Sequence, residues 1–181
     1  WKNNIHTATI REIIRGGGTV RLNWLISKDL FSVLMSQSFR YCAKYGSIAT
    51  LRWILCQMPS DGDSILIQCI KRDRVDLLHL FRPTSIAYSM AASFDKLDIM
   101  KLIHKWNWPQ YKLDDNGLCY VAAHNGNLEM LEWLAERGFV IGKEIVDIAL
   151  EKQNRALALW AQAHGAPIQN IDEFDALVGA I

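Results

Sequence analysis

The stretch that decides the fold is Ala122-Ala123-His124-Asn125-Gly126-Asn127-Leu128-Glu129-Met130-Leu131-Glu132-Trp133-Leu134, followed by Gly138. It contains a pair of small residues, a glycine turn and an apolar run at helical spacing. The same pattern recurs along the chain. With Trp133 as anchor, the matching positions are Trp24, Trp53, Leu80, Leu102 and Trp160, at steps of 29, 27, 22, 31 and 27 residues. Self-similarity at such a period marks stacked repeats, each too small to bury its own apolar face. The question of function therefore moves from a catalytic pocket to a binding face.

Within each copy the apolar residues follow a helical stripe. Leu128, Leu131 and Leu134 lie at i, i+3 and i+6, with Trp133 beside them. Ile48, Leu51 and Ile54 repeat this with Trp53, Val75, Leu78 and Phe81 with Leu80, and Leu97, Met100 and Ile103 with Leu102. Ala158 and Ala161 keep the stripe with Trp160, where Arg155 takes the first slot; Leu22 and Leu25 keep it with Trp24, where Thr19 does. A shorter helix is expected before each stripe, over about 118–124, 39–44, 65–71, 87–93 and 145–151. The turn between the two helices falls at Gly17, Gly46, Asp73, Asp95, Gly126 and Gln153, mostly residues that tolerate turn geometry. Residues 57–63 and 107–117 read as loops, and Pro83 ends one second helix early. From Pro167 the pattern changes. Asn170 to Glu173 reads as the cap of a final helix carrying Phe174, Leu177 and Val178, which covers the end of the core.

The bulk numbers suit a globular domain. Of 181 residues, 50% are hydrophobic and 22% charged, which excludes a disordered chain. No apolar run approaches the ~20 residues of a membrane span. The chain opens on Trp1 without a charged-then-apolar leader, and a larger parent protein is expected. Net charge is +1 but uneven: residues 1–82 carry 12 basic and 6 acidic side chains, residues 83–181 carry 8 and 13. The basic residues of the first half are scattered without an aromatic-rich motif, so a solvated surface is favoured over a nucleic-acid site. Cys42, Cys56, Cys69 and Cys119 show no zinc spacing. Cys42 and Cys69 occupy the slot of Ala122, where a small buried thiol fits. Reduced thiols imply a cytoplasmic setting, of a host cell or its nucleus if the parent protein is delivered there.

The copy at residues 117–138 resembles an ankyrin repeat in its double alanine, its Gly-Asn-Leu-Glu turn, its leucine stripe and its closing glycine. The tryptophan in the second helix and the Asn107-Trp108-Pro109 loop are similar to divergent ankyrin-repeat proteins of giant viruses, oomycetes and amoeba-infecting intracellular bacteria. The family's Thr-Pro-Leu-His opening is replaced by Gly117-Leu118-Cys119-Tyr120. That loses the side chains that brace neighbouring repeats in the family, and it puts regular β-hairpin fingers in doubt. The resemblance implies an all-α helical solenoid of about six stacked helix-turn-helix repeats with a capping C-terminal helix, one domain over residues 1–181. It also implies protein–protein interaction through the concave face, by a monomer that needs no cofactor, metal or small-molecule substrate. A second possibility is a recognition arm for an effector or host-range protein whose enzymatic domain lies outside these residues.

Carried onto this chain, the binding positions are the two residues between the small pair and the turn. They are Lys44 and Tyr45, Lys71 and Arg72, Ser93 and Phe94, His124 and Asn125, and Glu151 and Lys152. Exposed aromatics beside arginine are common hot spots, which puts Tyr45, Phe94 and Arg72 first; packing under a short loop is the other reading of Phe94. The tryptophans at the anchor slot read as core. Trp106 and Trp108 alternate across a loop, and an exposed one, taken as Trp108, would anchor a partner. No catalytic residue is assigned and no enzyme activity is expected. Cys119 and His124 are five residues apart on one helix and point about 140° apart. No HExxH spacing occurs, and Gly16-Gly17-Gly18 lacks the Lys-Ser/Thr of a phosphate loop.

Overall fold

The computed structural model describes residues 12–16, 19–27, 41–57, 62–109 and 117–179. The regular structure of these residues is helical throughout, with no strand. In chain order the helices are α1 (Thr19–Ser27), α2 (Ile48–Gln57), α3 (Gly62–Lys71), α4 (Val75–Leu78), α5 (Ile86–Ser93), α6 (Leu97–Lys105), α7 (Gly117–Asn125), α8 (Leu128–Ala135), α9 (Glu144–Glu151), α10 (Arg155–Ala163) and α11 (Ile171–Gly179). Residues 12–15 and 41–45 are also helical. The chain divides into two compact units, Trp1–Ala87 and Tyr88–Ile181.

Helix ends decide this architecture. At Asp73, Asp95, Gly126 and Gln153 the backbone turns left-handed, with φ of 55°, 58°, 73° and 51°. Those are four of the six turn positions read from the sequence. At each, the amide of the turn residue donates to the carbonyl three residues back and the next amide reaches five back. Thus Gly126 N donates to Ala123 O and Asn127 N to Ala122 O; Asp95 and Lys96, Gln153 and Asn154, and Asp73 and Arg74 repeat the pair. These two bonds close the end of the helix and satisfy carbonyls that would otherwise lack partners. The second helices of the later unit end likewise at Asn107, Gly138 and Gly165, with φ of 54°, 80° and 76°. There the residue after the turn is apolar and buried: Trp108, Phe139 and Ala166. Such a residue favours this closure, because it packs back toward the end of its own helix.

Gly46 works differently. Its φ is not left-handed, and its amide donates to Cys42 O. A Cβ there would lie 2.4 Å from Cys42 O and 2.5 Å from Leu51 Cδ1, so close approach forces glycine. Ser47 then caps α2 by accepting from Thr50 N at 3.2 Å. Asn127 and Asn154 cap α8 and α10 in the same manner, accepting from Met130 N and Leu157 N. Gly17 lies outside the described residues.

The buried face of the second helices is shifted from the expected stripe. The first stripe slot is exposed at Ile48, Val75 and Arg155, half-buried at Leu128 and buried only at Leu97. The slot two residues on is buried instead at Thr50, Leu77, Ile99, Met130 and Leu157. The core therefore follows Met130, Leu131 and Leu134 and their equivalents. First helices bury Leu118, Cys119, Ala122 and Ala123, with Ile145, Val146 and Ala149 matching them on α9.

In the unit Trp1–Ala87, α2 packs against α1 and α4, and α3 against α4. Pro83 follows a second helix of only four residues, as its position predicts. In the unit Tyr88–Ile181, α7 packs against α8 and α9, and α9 against α10. The final helix α11 lies on α9 and α10 and buries Phe174, with Leu177 and Val178 half-buried. Of the expected loops, residues 58–61 and 110–116 lie outside the described residues, as does any strand there. Gly62, Asp63 and Gly117 are helical.

Two features give opposite predictions for stability. Gly126→Ala places a Cβ at φ 73° and should cost about 1 kcal/mol, although nothing lies within 4 Å to clash with it. Gln153→Gly relieves a non-glycine left-handed residue and should leave the chain equal or more stable by up to about 1 kcal/mol. Urea denaturation should show a lower midpoint for Gly126→Ala and an equal or higher one for Gln153→Gly. Tyr88 is fully buried in α5, yet its hydroxyl has no hydrogen-bond partner among the described residues. Removing an unsatisfied buried hydroxyl recovers desolvation, so Tyr88→Phe should raise stability by roughly 1 kcal/mol. A lower melting temperature for that variant would reveal an unseen partner for the hydroxyl.

Candidate partner-binding face

The ends of the first helices carry the expected binding positions, and they are built into a ladder between successive copies. Asn125 Nδ2 donates to Ala92 O at 2.9 Å, 33 residues earlier. Lys152 Nζ lies 3.2 Å from His124 Nδ1 and donates to His124 O, 28 residues earlier. In the other unit, Arg74 donates to Ala43 O at 3.1 Å and Gly46 O at 3.0 Å, and Thr50 donates to Ile14 O at 3.4 Å. In each case a side chain of one copy reaches a carbonyl at the end of the preceding copy's first helix. Such carbonyls lack partners within the helix, and the negative end of the helix dipole favours the cations Arg74 and Lys152. Thr50, Arg74, Asn125 and Lys152 thus brace each copy against the one before it. Neither residue type nor register marks them in the sequence: counted from each copy's anchor, Thr50 lies 3 residues before it, Arg74 6, and Asn125 and Lys152 8.

Further rungs lie outside this row. Asn127 Nδ2 donates to Asp95 Oδ1 at 2.6 Å, and Lys101 pairs with Glu129 at 2.9 Å. Arg74 pairs with Asp76 at 2.8 Å, and its guanidinium holds the Asp76 carboxyl below the ordinary carboxylate range. An ion pair this open to water contributes little stability by itself.

The candidate binding residues divide between the units. In Trp1–Ala87, Lys44 and Lys71 are exposed while Tyr45 and Arg72 are half-buried. Lys44 Nζ sits 5.0 Å from the Tyr45 ring centroid, and Tyr45 stacks on Tyr41 with centroids 6.2 Å apart. Arg72 is steadied by Gln68, whose Oε1 accepts from Nη1 at 2.5 Å. In Tyr88–Ile181, Ser93, His124 and Asn125 are exposed and Phe94 is half-buried. His124 lies 6.0 Å from the ring of Tyr120, itself 45% exposed. Asn125 and His124 serve the ladder as well as the surface.

Trp108 departs from its expected place. It is 5% exposed, because it is the apolar residue that follows the left-handed Asn107. Trp106 is the exposed member of the pair at 38%, with ring centroids 6.1 Å apart. The anchor tryptophans also differ from one another. Trp133 is buried between Arg137, 3.9 Å from its ring, and the edge of His104 at 5.4 Å. Trp53 and Trp160 are half-buried, and Trp160 Nε1 donates to Glu132 while its ring stacks on His164 at 4.1 Å. Trp24 is 51% exposed, so it is not core. The slot flanks the buried line, and its burial depends on what the neighbouring copy lays over it.

Cys119 and His124 do not meet. Cys119 is fully buried and burial pushes its thiol up to about 11, while His124 faces outward. Among the described residues no group of three His, Cys, Asp or Glu could hold a metal ion, and no helix is long and apolar enough to cross a membrane. No family model, no curated protein and no solved structure matches the chain.

All four cysteines are free, and only Cys56 is exposed. Burial pushes Cys42 and Cys69 up to about 12. Labelling of the native chain with a thiol reagent near neutral pH should modify one thiol, and labelling in denaturant all four. The raised thiols favour the folded state below their ordinary value of 9, where both states hold the proton. That contribution is lost between about pH 9 and 12, as the unfolded chain ionises first. The melting temperature should fall across this window, and fall less in Cys42→Ala/Cys69→Ala.

Proposed function

We propose that the chain is an ankyrin-type interaction module that docks a partner protein along the ends of its first helices. The observation that supports this reading most strongly is the ladder of rungs spaced one repeat apart. Side chains of one copy reach carbonyls about 28 to 36 residues earlier, near the end of the preceding copy's first helix. A protein built that way repeats one surface position from helix to helix, which gives an extended recognition surface. Within each unit those positions carry different residues: Lys44 and Tyr45, Lys71 and Arg72 in Trp1–Ala87, and Ser93 and Phe94, His124 and Asn125 in Tyr88–Ile181. Variation at a fixed position in a fixed frame is how a repeat scaffold acquires a specific partner.

Tyr45 and Arg72 are the strongest anchors on chemical grounds. Each is half-buried and held by its own helix, Tyr45 between Lys44 and Tyr41 and Arg72 against Gln68. Side chains ordered before binding lose less entropy when a partner arrives. A combined Tyr45→Ala, Arg72→Ala and Phe94→Ala variant should lose capture of a partner from host-cell lysate. Its circular dichroism spectrum should match the parent chain. Undiminished capture by a folded triple variant would move the binding site elsewhere.

A further inference from the structure

The helix ends of the unit Trp1–Ala87 carry mostly one sign of charge. Arg15, Lys44 and Lys71 are exposed and Arg72 is half-buried. They close successive first helices: residues 12–15, residues 41–45 and α3. The order of these helices is fixed by Thr50 on Ile14 O and by Arg74 on Ala43 O and Gly46 O. The described carboxylates of this unit are Glu12, Asp63, Asp73 and Asp76. Asp63 starts α3, at the other end of the helix from Lys71, and Asp76 is paired with Arg74. Glu12 and Asp73 are left against four cations. The Tyr41–Tyr45 stack lies within the row, under Lys44.

Resting on the protein-docking reading above, we propose that this row receives an extended acidic segment of the partner, one carboxylate for each helix pair, with Tyr45 as its aromatic flank. The spacing argues for a polypeptide. Packed helices lie about 8–10 Å apart. An extended chain advances about 3.3 Å per residue, so every third residue meets the next helix end. A nucleic-acid strand carries a phosphate on every nucleotide, so most of its phosphates would find no cation in a row this sparse. A carboxylate on every third residue finds one each time.

The test is fluorescence anisotropy of the whole 181-residue chain at low salt. The probes are a labelled peptide of repeating Glu-Ser-Ser and a labelled oligothymidine of equal length. The peptide should bind, and at least about tenfold more tightly than the oligothymidine. Combined Lys44→Gln, Lys71→Gln and Arg72→Gln should weaken it at least about tenfold, as lost charge contacts of this kind do. Lys105→Gln, at an exposed position of the other unit, should leave it unchanged. Circular dichroism establishes that each variant is folded. No peptide binding, oligothymidine binding as tight as the peptide's, or full affinity in the folded triple-glutamine variant would each overturn the proposal. If the peptide fails while the Tyr45, Arg72 and Phe94 variant still loses its captured partner, the acidic occupant is wrong and the docking face stands. If capture survives as well, the face itself is wrong.

Discussion

A helix that ends inside a packed unit leaves carbonyls without partners, and the closing of those ends governs the rest of this structure. At seven described positions a left-handed residue reverses the chain and returns two amides to the last turn. This fixes where each helix stops, the direction in which the next begins, and which residue caps it. Carbonyls at the same helix ends also accept from the neighbouring copy, through Thr50, Arg74, Asn125 and Lys152. Closure within a copy and bracing between copies are one solution to one problem. Small residues at Cys42, Cys69, Ala91, Ala122 and Ala149 hold one slot of the first helices, and all of them are fully buried.

Much of this was legible in the chain because backbone conformation leaves a mark on residue choice. Asp73, Asp95 and Gly126 stand at turns that favour Gly, Asn or Asp, and the small pair before them identifies the first helix. Pro83 gave the shortened α4. The misses have equally physical causes. An i, i+3, i+6 stripe puts Leu128 and its equivalents in the core, but a helix face is wider than one row. Met130 and its equivalents lie inward instead. Trp108 looks like a loop residue in the sequence because the left-handed asparagine before it leaves no apolar signature.

The candidate surface was less legible than the fold. Sequence position locates the residues at the ends of the first helices, but not which of them the architecture already employs. Asn125 and His124 belong partly to the ladder, whereas Tyr45 and Arg72 are positioned by neighbours on their own helices. The braces were hidden for a different reason. A threonine, an arginine, an asparagine and a lysine do equivalent work, because a carbonyl oxygen accepts from any of them.

The closing of helix ends can be measured directly by native-state hydrogen exchange resolved to single amides. If the account is right, Asn127, Phe139, Asn154 and Ala166, whose amides reach Ala122, Leu134, Ala149 and Ala161, are protected as strongly as the interiors of the helices they close. Rapid exchange at these four amides, with slow exchange inside α7 to α10, would show that the ends are open and would contradict it.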